Sequence, residues 1–150
     1  MMIVLVGCLS QPVKRVQGGN IWNLELWVNS ACASPGDTVT ARLTLTNVTT
    51  TVQTIELKDK AVLDLGLGYG TDQGPKVTKW SDNKPLTPEL TQLVLKPSES
   101  KMIEMQMQVP PRVTVIGVVG LFNRDPNNPD DQWYLPIDVR VTDCNYLWSA

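Results

Sequence analysis

An all-β fold, a single antiparallel β-sandwich of about 7–9 strands, is predicted by three features of this chain. Apolar and polar residues alternate with period two through most of its apolar stretches. Turn residues punctuate those stretches at short intervals, with 11 Pro and 10 Gly in 150 residues. Five Trp and three Tyr stand against one Phe, set among many Thr and Val, which favour pleated backbone over helix. A chain of this length matches one ordinary domain with one core.

The elements follow in order. Trp22, Leu24, Leu26 and Val28 share one face of a first strand, with Asn23, Glu25, Trp27 and Asn29 on the other. The stretch SPGD at 34–37 is a turn, Pro35 fixing φ and Gly36 free to take positive φ. After it, Val39, Ala41, Leu43 and Leu45 point inward and Thr38, Thr40, Arg42, Thr44 and Thr46 outward, the cleanest alternation in the chain. Further strands are predicted around 54–57, 62–67 and 76–80, and then at 93–95 and 101–109, separated by Lys96, Pro97 and Ser98. Residues 113–122 are apolar at successive positions, as in a central strand covered on both sides, and 133–142 alternate through Leu135, Ile137, Val139 and Val141. A single helical turn is expected at 88–92. No internal repeat and no second domain is visible.

Charge and composition exclude more functions than they suggest. Thirteen basic against fifteen acidic residues give a net charge of −2, which offers no basic excess for nucleic acid. Histidine is absent, removing the commonest general base and the commonest transition-metal ligand. No paired carboxylates stand where the strands would bring them together, so neither an enzyme nor a cofactor is expected. No stretch reaches the roughly 18 apolar residues of a membrane-spanning helix.

Residues 5–8, LVGC, resemble the lipobox of bacterial lipoproteins, in which a small residue precedes a cysteine that is acylated. The resemblance implies lipid on Cys8 and an anchor at the outer face of a bacterial membrane. The preceding run MMIVLV is shorter than the apolar core of about 7 to 15 residues that a signal requires, so residues 1–8 read as a truncated signal. Residues 9–20, LSQPVKRVQGGN, have the composition of a flexible tether, leaving 21–150 for the sandwich. The alternative reading makes the opening a short buried strand and Cys8 a core thiol. Of three cysteines, acylation of Cys8 would leave Cys32 and Cys144 as one pair, closing a loop of over a hundred residues, worth on the order of 4 to 5 kcal/mol in the chain-entropy model. Two separate buried thiols are the alternative, because spacing alone establishes no bridge.

The run SPGDTVTARLTLTNVT at 34–49 with TVQTIEL at 51–57 is similar to the opening of many bacterial immunoglobulin-like surface domains. Its continuation, VTKWSDNKPLTPEL at 77–90 and LVLKPSESKMIEMQMQV at 93–109, resembles the intracellular proteinase inhibitor family of bacilli, which has a strand, a tryptophan-serine pair and a leucine-proline-glycine-glutamate turn. Ser98 stands where that family usually has glycine, and LGLGYGTD at 65–72 only loosely echoes its glycine-glutamine-aromatic-aspartate segment. The resemblance implies an immunoglobulin-like sandwich and, as one possible activity, proteinase inhibition.

The remaining motifs carry less. GLGYG at 66–70 lacks the following helix that a phosphate-binding loop needs, and reads as a glycine-rich bend in a sheet. The loop NRDPNNPDDQ at 123–132 gathers Asp125, Asn127, Asp130 and Asp131, oxygen donors of the kind calcium uses, at spacing that fits no EF-hand; a solvated connection is the simpler reading. Asn47 opens a glycosylation sequon. Trp22 is expected in the core. Trp27, on an otherwise polar face, and Tyr146, Leu147 and Trp148, beyond the last strand, are candidate partner-binding anchors; the alternative for the terminal trio is that it folds back onto its own sandwich. Together these readings predict a non-catalytic, lipid-anchored accessory or structural subunit of a larger membrane protein complex, with a protease-inhibiting or ligand-binding module as the alternative.

Overall fold

The computed structural model describes residues 11–128 and 130–142. Among them the chain forms β1 (Val13–Gly18), β2 (Trp22–Val28), β3 (Cys32–Ala33), β4 (Thr38–Asn47), β5 (Gln53–Glu56), β6 (Leu63–Thr71), β7 (Gly74–Lys79), α1 (Pro88–Thr91), β8 (Gln92–Leu95), β9 (Ser100–Gln108), β10 (Val115–Asn123) and β11 (Gln132–Val141). One sheet has the order β1-β2-β4-β9, the second β3-β11-β10-β6-β7, and β5 pairs with β8 in a small third. Every pairing is antiparallel except that of β3 with β11. The two large sheets face one another as an antiparallel β-sandwich. Among the described residues, no helix is long and apolar enough to cross a membrane.

Nine of the eleven strands stand where the alternation places them, and the expected helical turn is α1. The two additions are β1 and β3. β1 corrects the expected tether, because residues 13–18 lie in register against 28–23 of β2. Lys14, Arg15 and Gly18 give this segment the composition of a linker, but an edge strand with one solvated face accepts such residues. Anchorage begins earlier still, since the carbonyl of Gln11 accepts from Ala31 N at 3.2 Å. β10 also differs from its expectation. Ile116, Val118, Gly120 and Phe122 are buried, whereas Gly117, Val119 and Leu121 on its other face are half-buried, so only one side of this central strand is covered by the opposite sheet.

Side chains from both inner faces fill the core, including Leu24, Leu26, Leu43, Leu45, Leu65, Leu67, Ile116 and Val118. At one end Phe122 is held edge-on by Trp22 and Trp133, with ring centroids 5.7 Å apart in both pairs. That geometry suits aromatic quadrupoles better than a face-to-face stack. Gly120 has a packing role: a methyl group built there would come within 2.6 Å of Leu43 Cδ1, so the missing side chain is the space into which Leu43 fits. The turn after β3 uses Gly36 at φ 91°, a conformation costly for any residue with a Cβ.

Buried Asn47 ends β4 and joins it to the loops. Its Nδ2 donates to the carbonyls of Thr51 (2.8 Å) and Leu95 (2.9 Å), and its Oδ1 accepts from Thr49 N (2.9 Å) and Thr49 Oγ1 (2.7 Å). Both amide hydrogens are occupied inside the protein, so this sequon has no nitrogen to offer a glycan in the folded state.

The strand registers give the sandwich two distinct ends. Gln11, the 34–37 turn, residues 109–114 and Thr142 lie at one; residues 19–21, 57–62, 80–91 and 124–131 lie at the other. Replacing Gly120 by Ala should cost about 1–3 kcal/mol through overpacking against Leu43, whereas Gly117→Ala, whose added methyl meets nothing nearer than 3.8 Å, should leave stability within about 0.5 kcal/mol. Urea unfolding of the two variants beside the parent measures both.

Candidate functional site

β6 carries one acidic residue in an otherwise apolar and glycine-rich strand, LDLGLGYGT. Asp64 points away from the core yet is 9% exposed, because the chain leaving β7 folds over it. Its Oδ1 accepts from Leu65 N at 3.0 Å and Ser81 N at 3.1 Å, and its Oδ2 accepts from Ser81 Oγ at 2.5 Å. Three donors on one carboxylate offset the cost of removing it from water. The neighbouring Trp80 N donates to Leu65 O at 2.8 Å, and the Trp80 ring packs against the core. The tryptophan-serine pair is therefore a clasp in which one residue fills apolar space and the next closes on Asp64.

From this clasp residues 82–89 project into solvent, all exposed. The loop is tied internally: Asp82 Oδ2 accepts from Lys79 N at 2.9 Å, Lys84 N donates to Ser81 O at 3.1 Å, and Thr87 N donates to Pro85 O at 2.8 Å. Asn83 takes φ 62°, a left-handed conformation that Asn tolerates better than most residues. Lys84 Nζ lies 4.7 Å from the centre of the Trp80 ring, while Leu86 is 54% exposed. α1 then returns the chain to the body, with Leu90 and Thr91 buried and their carbonyls accepting from Val62 N (2.9 Å) and Leu57 N (2.7 Å). The result is a braced protrusion presenting Lys84, Pro85 and Leu86.

The residues singled out in the sequence do not gather here. Trp27 lies on the outer face of the four-stranded sheet, half-buried, with the Arg42 guanidinium 4.6 Å from its ring centre. Arg42 in turn pairs with Glu104 at 2.6 Å, and Lys14 is the register neighbour of Trp27 on β1, so this tryptophan sits within a charged row. Asp125, Asn127, Asp130 and Asp131 do not converge on one point. Asp131 pairs with Arg124 at 2.6 Å, Asp125 Oδ1 accepts from Asn127 N at 2.8 Å, and Asp130 N donates to Asn128 Oδ1 at 3.1 Å. Oxygens of Asp125, Asn128 and Asp131 are thus engaged in turns and an ion pair, beside a groove of about 340 Å³ lined by Trp22, Arg124 and Trp133. Among the described residues no group of three or more acidic or cysteine side chains could hold a metal ion. Residues 66–70 lie within β6, paired with β7 rather than leading into a helix. Cys32 is disulfide-bonded, whereas Cys8, Cys144, Tyr146, Leu147 and Trp148 lie outside the described residues.

The model of the BsuPI family, intracellular proteinase inhibitor, matches residues 26–116, more than half of the chain. The chain belongs to the BsuPI intracellular proteinase inhibitor family. The BsuPI match runs from β2 into β10 and so contains Asp64, Ser81 and the whole braced loop, while β1, the 123–132 loop and β11 lie outside it. No curated protein matches the chain significantly. Among solved structures, it is similar to the Pseudomonas fluorescens alkylpurine DNA glycosylase AlkC bound to DNA containing an abasic site analog, at 16% identity and TM-score 0.41 over 75% of this chain and 28% of that one. It is also similar to Spo0M, the sporulation control protein from Bacillus subtilis, at 12% identity and TM-score 0.46 over 83% of this chain and 51% of that one. A third likeness is to the C-terminal domain of wzt, at 12% identity and TM-score 0.43, over 91% and 81%. The chain thus spans about half or less of the first two of these structures.

Sequence reasoning quoted the tryptophan-serine pair but missed Asp64, whose signal was a single carboxylate inside the apolar run VLDLGL at 62–67. Replacing Asp64 by Ala should destabilise the protein by about 2–3 kcal/mol, since it leaves the Ser81 and Leu65 amides without their acceptor. Hydrogen exchange should accelerate first at Ser81 and Lys84, ahead of the core strands, when followed residue by residue.

Proposed function

We propose that this chain is a non-catalytic binding protein of proteinase-inhibitor kind, and that residues 80–87 form the surface it offers to a proteinase. The observation that carries this reading is the braced loop inside the family match: a segment held at its base by Asp64 and tied within itself. Such a loop loses little conformational freedom on binding. Lys84 and Leu86 supply a cation and an apolar side chain for pockets, and the nitrogen of Pro85 carries no hydrogen for a partner strand to use. Enzyme inhibition assays against purified serine proteinases, trypsin-like and subtilisin-like, test it. At least one should be inhibited, and Lys84→Ala or Leu86→Ala should weaken that inhibition about tenfold or more, equivalent to about 1.4 kcal/mol, without altering thermal stability. Unchanged inhibition in both variants would move the site elsewhere. No inhibition by the parent, together with co-purification in a larger membrane assembly after gentle detergent extraction, would restore the accessory-subunit reading.

We also propose an address at the outer face of a membrane, with lipid on Cys8. Support comes from LVGC and from a disulfide at Cys32, a bond favoured by oxidising compartments. Gln11 is already bonded to Ala31, so only three residue steps separate Cys8 from the folded body, about 10 Å when fully extended. An anchored sandwich would therefore lie close to the bilayer with residues 80–87 at its far end. Both ends of the described residues lie beside Cys32 in sequence pairing, through the bond of Ala31 N to Gln11 O and that of Thr142 N to Ala33 O at 2.9 Å. Acylation needs the Cys8 thiol, and so goes with a Cys32–Cys144 bridge. Non-reducing peptide mapping of natively expressed protein should find Cys32 linked to Cys144 and an acylated Cys8 peptide. A Cys8–Cys32 peptide would overturn both halves of this proposal.

A further inference from the structure

The two large sheets end unevenly at one side, where β9 is the edge of the four-stranded sheet and β7 the edge of the five-stranded one. β9 packs across the core over β6, so β7 projects past it. On the inner side of β7, Thr78 and Lys76 are the register partners of Leu67 and Tyr69, and both are exposed. Tyr69, Met105 and Met107, on the facing sides of β6 and β9, pack against the core yet are only half-buried. A groove of about 560 Å³ opens at the hairpin between β6 and β7, with Tyr69, Thr71 and Lys76 in its lining. The four-stranded sheet thus stops one strand short of the sheet it covers.

The open edge of β9 is furnished for a strand. Val109 N donates to Asp37 O at 2.8 Å and Asn47 N to Glu99 O at 3.1 Å, and with the β4–β9 register these bonds fix the phase of the ladder. Odd residues of β9 bond to β4, while the N–H and C=O groups of Glu104, Gln106 and Gln108 turn to the open side. Edge strands are commonly blunted by charge, proline or brevity, as in β1 with Lys14 and Arg15, β7 with Pro75, Lys76 and Lys79, and two-residue β3. Residues 104–108, EMQMQ, hold no proline and one charge, Glu104, which Arg42 neutralises at 2.6 Å.

We propose that an extended peptide from another polypeptide adds here as an antiparallel fifth strand, its main chain bonded to Glu104, Gln106 and Gln108 and its inward side chains filling the gap opposite β7. The gap selects this occupant. Two copies joined through their β9 strands would bring their β6 strands about 5 Å apart with two β7 strands to fit between them, so a lone strand enters where a second sandwich does not. Gln11 and Thr142, the described ends, attach at the opposite edges, next to β1 and β3. Inward residues of the peptide meet Met105 and Met107, whose flexible side chains suit varied apolar partners. They also meet Lys76, which stands in neither ion pair of the described residues and lies toward the Gln108 end of the gap. Apolar residues at alternate positions, led by a carboxylate, are therefore the chemistry recognised. This site is independent of the loop at 80–87.

The test is titration of the isotope-labelled full chain with the capped peptide Glu-Thr-Val-Thr-Val-Thr, followed by NMR and hydrogen exchange. Bound peptide should slow exchange of the Glu104, Gln106 and Gln108 amides about tenfold or more and shift the methyl signals of Met105 and Met107. Gln106→Pro removes an outward N–H without touching the bonds to β4, so it should stay folded and weaken binding about tenfold or more. Methylating the threonine nitrogens of the peptide should do the same to the unaltered protein, whereas methylating the valine nitrogens, which face away from β9, should not; this pair decides the matter even if Gln106→Pro fails to fold. Lys76→Glu should weaken this peptide and spare one that begins with glutamine. No binding at millimolar peptide would overturn the proposal, as would indifference to threonine methylation or shifts confined to β1 or β7. Contacts to Met105 and Met107 from a differently labelled copy, or from the chain's own residues, that exclude the peptide would overturn it in favour of that occupant.

Discussion

The gap between the two large sheets is set where Leu43 of β4 enters the space left by Gly120 of β10. Two inner faces of branched side chains interdigitate only if large positions on one meet small positions on the other, and here the smallest possible residue stands opposite a fully buried leucine. Everything that orients the ends of the molecule depends on that spacing. It lets Trp22 from one sheet and Trp133 from the other reach the same phenylalanine, and these three rings seal the end from which the 80–91 segment departs.

From that seal the requirements pass outward. Asp64 sits on the outer side of β6, one strand from Leu121, and its carboxylate is covered by Ser81 because Trp80 is drawn down onto the core. A buried carboxylate is tolerable only with donors in place, so the clasp and the core position one another. Loss of the tryptophan's apolar contact would expose Asp64 to water and release the loop, and loss of Asp64 would leave two amides unpaired beneath Trp80. The loop is fastened to the core through one apolar and one polar contact at adjacent residues.

The parts of this architecture that the sequence announces are those governed by a repeating rule. β4 and β9 are legible because an inward row of Val39, Ala41, Leu43 and Leu45, and another of Ile103 and Val109, must share a face. Turn chemistry makes Gly36 legible in the same way. β1 is not, since an edge strand exposed on one side gains its place from backbone bonds to β2, and backbone bonds leave no mark in the side-chain pattern. β3 is only two residues long, too short for a period. The candidate site falls between these cases. The WSDNKPLTP stretch at 80–88 announces a turn-rich loop, but its partner lies 17 positions earlier in another strand, and only pairing in three dimensions brings Ser81 to Asp64.

The same separation explains why charged and aromatic residues mislead on their own. Trp27 has the composition of an anchor, yet its ring is spoken for by Arg42, which is itself held by Glu104. Cation-π contact at a partly exposed site is worth about 0.5–1 kcal/mol, so a partner using Trp27 must first displace Arg42 or bind over it. Lys84 is placed differently. It leans on Trp80 from an exposed loop and has no acidic partner among the ion pairs of the described residues, so a carboxylate in a partner's pocket competes only with the ring and with water. Of these two cations, the one outside the ion pairs of the described residues costs less to hand over to another molecule, and that asymmetry is why the proposed binding surface is the loop end of the sandwich rather than its four-stranded face.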